Sequence, residues 1–258
     1  MTALAAAAAS GARRLVAAPA EMLFRVCFYA VIVGVLSSLW TAAAAAAGGE
    51  IVGYDAVALT WYITFAEAAV NGTKFRMIEH IGNDIGSGAV EVEMLRPVRV
   101  VAFRLAAETG DGIVRLGAMT AAGVALAWAL VGPPPDTGTL ALALPSAVLA
   151  IACNIAAQHA FAAMAFWQNE ARGAWFLYQK LVFVLGGMLL PLQIFPGWLE
   201  AAAWATPFWT TAYAPARLAA GFAEPVLLLG QAAWLVALTG AAAAAFAAGE
   251  RRIQAGGN

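Results

Sequence analysis

The polar side chains inside long apolar runs are the residues of this sequence best placed to do chemistry. They are Glu67, Asn154, Gln158, His159, Gln179 and Lys180. A polar group that faces lipid is costly, so each should face a cavity, another helix or the membrane edge. One interpretation is the lining of a substrate path. The other is hydrogen bonding between helices, or snorkelling to the membrane edge.

These residues fall into two groups by position. Asn154, Gln158 and His159 are spaced i, i+4 and i+5, so they share a helix face. We take these three as substrate-path candidates, and the structural alternative stays open for them. Glu67 and Lys180 are expected near the cytoplasmic ends of their helices, where a structural role is favoured.

Motifs for catalysis, metal binding and nucleotide binding are missing from the sequence. The only histidines, His80 and His159, do not form the His-Glu-x-x-His pattern of zinc proteases. The stretch Gly72-Thr73-Lys74 lacks the upstream glycines of a phosphate loop, so this chain is not expected to hydrolyse ATP. Cys27 and Cys153 lie in separate apolar runs and are interpreted as small hydrophobic residues. We therefore predict no catalytic residue, metal or cofactor in this chain.

The composition indicates a membrane protein. The chain is 63% hydrophobic and 11% charged, with a mean hydropathy of +0.79. Its apolar runs are about 20 residues long, the length that crosses a hydrocarbon core of roughly 30 Å. The net charge of -1 offers no basic face for nucleic acid. The predicted fold class is an all-α polytopic membrane protein with a single transmembrane domain over residues 1–258.

One segment, from Lys74 to Arg115, holds a large share of the charges and is the part that must face water. Its first half places apolar residues on one side at helical spacing, namely Phe75, Ile78, Ile81 and Ile85. This pattern predicts an amphipathic helix too short to span a bilayer. Gly86 and Gly88 should end that helix, and Pro97 should fix the chain where a more basic segment begins.

The same segment carries a resemblance to a known family. Asp84-Ile85, Gly88 and Met94-Leu95-Arg96-Pro97 resemble the cytoplasmic signature of bacterial ABC-2 type permeases, usually D-I-x-x-G followed by L-L-R-P. Met94 stands where the first leucine is usual. Later stretches, Phe195 to Leu199 and Thr206 to Phe208, resemble the last external region of that family.

The resemblance implies the membrane subunit of an ATP-driven exporter in the bacterial inner membrane. Its expected partners are two cytosolic ABC ATPase subunits, which would bind ATP and Mg, a second permease subunit and membrane lipids. The short helix would be a coupling helix that rests on the ATPase. The implied coupling residues are Phe75, Ile78, Ile81, Asp84, Ile85, Gly88, Arg96 and Pro97.

Two finer expectations concern this coupling helix. The apolar side chains Ile78, Ile81 and Ile85 have the spacing of anchors that enter a groove on a partner, here the ATPase. Asp84 and Arg96 lie on either side of the glycine turn, so they are expected to form an ion pair that stiffens the segment.

The apolar runs predict six spans, at residues 22–47, 54–70, 113–131, 140–167, 174–194 and 225–248, with the coupling region at 74–112. Residues 1–20 would form a short helix at the membrane surface or a frayed tail, and both stay open. Residues 195–223 are too interrupted by proline to cross and should form short re-entrant or interfacial helices outside. A cleavable signal peptide ending near Ala47 is disfavoured, because the first apolar run is long for one.

The distribution of Arg and Lys predicts the orientation. With a cytoplasmic N-terminus, the cytoplasmic segments hold Arg13, Arg14, Lys74, Arg76, Arg96, Arg99, Arg104, Arg172, Arg251 and Arg252. Only Arg217 is left outside, so the positive-inside rule places both termini and the coupling region in the cytoplasm.

Two alternatives to a transporter remain open. One is an intramembrane enzyme that uses Glu67 or His159, and the other is a passive channel or scaffold. The enzyme would need a paired acid-base constellation, which the sequence does not offer, and the channel or scaffold does not account for the cytoplasmic amphipathic helix.

Overall fold

The computed structural model describes residues 3–16, 19–74, 76–95, 97–168 and 171–256. Phe75 and Arg96, two of the predicted coupling residues, lie outside this set. The helices are α1 (Ala3–Val16), α2 (Pro19–Ala46), α3 (Ala56–Asn71), α4 (Met77–Gly86), α5 (Ala89–Met94), α6 (Val100–Val131), α7 (Thr137–Ala162), α8 (Arg172–Leu185), α9 (Gly197–Trp204), α10 (Tyr213–Ala219) and α11 (Val226–Gly256). Three 3-10 turns, at Ala163–Phe166, Leu192–Ile194 and Pro207–Thr210, and a hairpin of β1 (Glu50–Ile51) and β2 (Tyr54–Asp55) join them.

Four helices are long and apolar enough to cross a membrane: α2, α6, α7 with its 3-10 turn, and α11. The all-α architecture predicted from the sequence is thus present with four candidate spans, and the number of six spans stays a prediction. Helix α3 has 16 residues and α8 has 14. At 1.5 Å per residue they reach only about 24 Å and about 21 Å, less than a full hydrocarbon core. Crossing by these two segments stays a prediction.

Helix α3 lies at the centre of the fold. Twelve of its 16 residues are buried, on every side of the helix, where it packs against α2, α6, α7 and α10. Asp55 caps its start by accepting a hydrogen bond from the backbone N–H of Ala58 at 2.7 Å. A helix that is surrounded by protein needs no polar face, which explains why α3 reads as a plain apolar run.

Several helices differ in extent from the predicted spans. The third span was expected to begin at residue 113, but α6 begins at Val100, because Val100, Val101 and Ala107 form a buried apolar face on its first turns. The fifth was expected to end at residue 194, but α8 ends at Leu185, followed by Gly187 with a φ of +66°. The second was expected to begin at Tyr54, which instead lies in the hairpin.

The N-terminal residues form a helix that packs along the first half of α6. The two backbones meet at Gly110, where a Cβ would overlap the carbonyl group of Ala8. This close approach requires glycine at position 110. Location of α1 at a membrane surface stays a prediction, whereas its packing on α6 is a feature of the fold.

The region between α8 and α11 folds into short helices, as its prolines and aromatic residues predicted. Arg217 on α10 pairs with Glu224 at 2.8 Å and donates to the hydroxyl of Tyr54 at 2.5 Å, which ties the hairpin to α10. Because Arg217 lies over the ring of Phe222 as well, its charge is shielded on the side predicted to be external.

Cysteine labelling tests the predicted orientation. In a variant without native cysteines, we expect a thiol introduced by Asn83→Cys to be shielded from an impermeant reagent in intact cells. A thiol introduced by Thr137→Cys should react. Both positions are exposed, and Asp136, the cap of α7, is left in place. The reverse labelling pattern would contradict the orientation.

Candidate functional site

A cavity of about 240 Å³ lies where α2, α3, α7 and α8 meet. Its wall combines polar and apolar side chains from all four helices and the segment after α3. The lining residues are Arg25, Ile32, Glu67, Val70, Asn71, Thr73, Lys74, Arg76, Asn154, Gln158, Trp175, Tyr178, Gln179, Val182, Phe183 and Met188. Four of the intramembrane polar residues singled out in the sequence therefore line one cavity, namely Glu67, Asn154, Gln158 and Gln179.

One wall of this cavity is a closed hydrogen-bond network. The amide nitrogen of Gln158 donates to Asn154 Oδ1 at 3.0 Å and to Thr73 Oγ1 at 3.3 Å. The hydroxyl of Tyr178 donates to the same Asn154 oxygen at 2.5 Å. These side chains are buried, so their mutual bonds offset the cost of removing them from water. The network fixes their position and leaves a polar surface toward the cavity.

Glu67 forms a second polar feature of the wall. Its side chain is 3% exposed, and one carboxylate oxygen accepts a hydrogen bond from the Asn71 amide at 3.0 Å. Asn71 also donates to the Glu67 backbone carbonyl at 2.9 Å, which fixes the pair on α3. Among the residues that the structure describes, no cationic side chain forms an ion pair with this carboxylate.

The cations of the cavity stand at its rim, and each has a carboxylate partner. Arg25 pairs with Glu21 at 3.1 Å and Lys74 with Glu108 at 2.9 Å. Arg76 donates to Glu79 at 2.7 Å and stacks over the ring of Trp175 at 4.9 Å. The positive charge of the rim is therefore compensated locally.

His159 and Lys180 lie away from this cavity lining. The ring of His159 is buried, with Nδ1 2.8 Å from the Ile155 carbonyl and the ring beside Phe246 of α11. Lys180 is exposed and lies 5.2 Å over the ring of Phe176. The structure thus brings Asn154 and Gln158 together and separates them from His159, although all three were predicted to share a face.

The predicted coupling helix is present as α4, followed by the short helix α5. Gly88 begins the second helix with a φ of +77°, a left-handed conformation that favours glycine, so the predicted break lies where expected. Pro97 is exposed beyond α5. Together, α4 and α5 form a two-helix segment between α3 and α6, which we call the coupling segment (residues 76–95).

The apolar face of α4 is buried inside this chain. Ile78, Ile81 and Ile85 pack in the core, where α4 contacts α7 and α8. The prediction that they enter a groove on the ATPase was wrong in this respect, because helical periodicity shows that a face is covered but not by which protein. The three isoleucines attach the coupling segment to the spans.

Asp84 has a partner that the sequence did not reveal. Arg104 on α6 pairs with Asp84 at 2.8 Å and with Glu93 on α5 at 2.7 Å, and its own side chain is mostly buried. One guanidinium thus joins α4, α5 and α6. The expected pair between Asp84 and Arg96 falls on a residue outside the described set and stays a prediction. The sequence has three arginines in this region that could pair with Asp84, namely Arg96, Arg99 and Arg104. No local pattern distinguishes Arg104 from the other two.

The opposite face of the coupling segment is exposed. It carries small and polar residues from α4, and two large apolar side chains from the end of α5. Val92 is 69% exposed and Leu95 is 85% exposed. Large apolar side chains that protrude beside polar ones are typical of a protein contact surface.

Comparison with protein-family models matches residues 25–257 to the ABC-2 family transporter protein family. The chain belongs to the ABC-2 transporter family. A search of curated proteins returned no match. The resemblance seen in the sequence is thereby confirmed, and the match covers all the helices that follow α1 except the first turns of α2.

Family membership identifies this permease as a multi-pass membrane protein with a role in transport rather than catalysis. Permeases of this family generally work with ABC ATPase partners.

Proposed function

We propose that this permease is the membrane subunit of an ATP-driven exporter in the bacterial inner membrane. It would act with two cytosolic ATPase subunits, which bind ATP and Mg, and with a second permease copy. The observation that carries the proposal is the attachment of the coupling segment to α7 and α8, two of the helices that form the cavity, through the buried face of α4, and to α6 through the Arg104 ion pairs.

The contacts of the coupling segment suggest how movement would reach the cavity. Arg104 connects the segment to α6, α4 packs against α7, and Gly82 lies directly against Ala171 at the start of α8. Interiors are close-packed and transmit displacement instead of absorbing it. Closure of the ATPase would therefore move α7 and α8 as rigid bodies and open or close the cavity between them, which is alternating access.

The exposed end of α5 is the part of the segment that would contact the ATPase. We expect the double variant Val92→Asp, Leu95→Asp to retain less than about one tenth of the co-expressed cognate ATPase on purification. Two buried anchors of this size contribute several kcal/mol to an interface, and each 1.4 kcal/mol is about tenfold in affinity. The measurement is the ratio of ATPase to permease after affinity purification through the permease.

The matched control is Val52→Asp, an exposed valine in the hairpin, far along the chain from the coupling segment. Val52 has a φ of +51°, which aspartate tolerates better than valine, so this variant should fold. Full ATPase retention by the Val92, Leu95 variant would mean that the partner binds elsewhere. Equal loss in the control would point to general misfolding.

A further inference from the structure

The charge balance inside the cavity points to the kind of ligand that it accepts. Glu67 is the carboxylate that faces the cavity without a cationic partner among the described residues, and the Asn71 amide contacts only one of its oxygens by a hydrogen bond. A buried carboxylate is costly unless a cation or several donors compensate it. A ligand that brings a positive charge would supply the missing partner.

The cations at the rim do not create an anion site. Arg25, Lys74 and Arg76 are engaged with Glu21, Glu108 and Glu79 respectively. Glu21 also pairs with Arg115 at 3.2 Å, and Arg115 pairs with Asp111 at 3.3 Å, so positive and negative groups still match in number. Glu67 then leaves the cavity with one surplus negative charge when it is ionised. An anionic ligand would have to break one of these pairs and would also meet Glu67.

Aromatic side chains in the wall add to the attraction for cations. Trp175, Tyr178 and Phe183 of α8 line the cavity together with Met188. The face of an aromatic ring attracts a cation, most strongly where water is excluded. The same wall already shows this interaction, because the guanidinium of Arg76 stacks on Trp175.

The size of the cavity limits the ligand. At about 240 Å³ it is smaller than a pocket for a drug-sized molecule, which is about 300–1,000 Å³. A single aromatic ring with a compact charged group is the class that combines the required charge, apolar surface and size.

We propose that this cavity binds small aromatic organic cations, with Glu67 as their counter-ion and the aromatic side chains of α8 as their apolar wall. The inference rests on the proposed function only in assigning the cavity to the substrate path. Binding itself needs neither the ATPase nor ATP. The class of substrate and the role of Glu67 can therefore be tested on the permease alone.

The test compares the binding of three probes that share one shape and differ in charge. Benzyltrimethylammonium carries a positive charge, neopentylbenzene is its neutral carbon analogue, and phenylmethanesulfonate is a negative counterpart. Their binding to full-length permease in phosphatidylcholine nanodiscs is measured by equilibrium dialysis, with empty nanodiscs subtracted. We expect the cation to bind at least about tenfold more tightly than either other probe, a difference of 1.4 kcal/mol.

Three variants then test whether Glu67 is the carboxylate that binds the cation. Glu67→Gln keeps the size and the acceptor for Asn71 but removes the charge, and should weaken cation binding about tenfold while leaving the neutral probe unchanged. Glu50→Gln, at an exposed carboxylate in the hairpin, should change neither. Glu67→Asp keeps the charge, and should retain a preference for the cation over the neutral probe.

Two results would overturn the inference: equal binding of all three probes by the unaltered permease, or a cation preference that Glu67→Gln leaves intact. Both readouts are independent of ATPase retention. A permease that binds the cation but no ATPase would refute the proposed function and leave the site standing. A permease that retains the ATPase but does not prefer the cation would refute the site and leave the proposed function standing.

Discussion

Replacement of Arg104 by leucine is expected to loosen the coupling segment and to remove most of the bound ATPase. The side chain joins α6 to Asp84 on α4 and to Glu93 on α5. Leucine would leave two carboxylates close to each other with no cation between them. Exposed pairs contribute about 0.2–1 kcal/mol and loss of one partner of a buried pair costs about 3–5 kcal/mol. The Arg104 ion pairs are partly exposed, so we expect the substitution to destabilise the coupling segment by about 1–3 kcal/mol.

Hydrogen exchange measures this loss directly. A cost of 1.4 kcal/mol corresponds to tenfold faster exchange for amides that open with the segment, so residues 76–95 should exchange about 5 to 140 times faster. Amides of α7 and α11 should be unaffected. The matched control is Arg99→Leu, which makes the same change at the exposed residue that caps the start of α6. Unchanged exchange in the Arg104 variant would show that the isoleucine face alone holds the segment.

A double-mutant cycle separates the two ion pairs. Asp84→Asn, Arg104→Leu and the combined variant should show non-additive losses of segment stability, because the second change removes an interaction that the first has already broken. The same cycle with Glu93→Gln measures the other pair. Strictly additive losses would mean that Arg104 acts on each carboxylate separately from its ion pairing, for instance through the packing of its aliphatic stem.

The sequence predicted the parts of this fold that depend on apolar length alone. Helices α2 and α11 follow from continuous apolar runs, and the break at Gly88 follows from the freedom of glycine to adopt positive φ. The short helices after α8 follow from closely spaced prolines. In each instance the determining residues are neighbours in the chain, so a local pattern carries the whole signal.

What the sequence could not predict depends on which surfaces meet. Apolar α3 looks like a span, yet protein surrounds it on every side, and hydropathy cannot distinguish lipid from protein as the apolar surroundings. Ile81 was assigned to a partner protein, whereas it is buried within this chain. Arg104 was one of several similar arginines until folding brought Asp84 and Glu93 beside it.

Two glycines of α4 provide the second large expected effect, because they differ only in what lies next to them. A Cβ at Gly82 would lie closer than 3.0 Å to the Cβ of Ala171 at the start of α8, whereas a Cβ at Gly86 meets nothing within 4 Å. Alanine stabilises a helix interior by about 1 kcal/mol relative to glycine. At Gly82 the overlap should outweigh that gain, since Ala171 has no rotatable side chain that could move away.

Gly82→Ala should therefore push α4 away from α8, at a cost of about 1–3 kcal/mol for overpacking. Exchange of residues 77–86 should rise several-fold, and ATPase retention should fall as the segment loses its fixed position. Gly86→Ala makes the same chemical change four residues later on an exposed turn, and should slow exchange slightly or leave it unchanged. If both variants behaved alike, the contact between α4 and α8 would not position the coupling segment, and transmission would have to run through Arg104 and α6 alone.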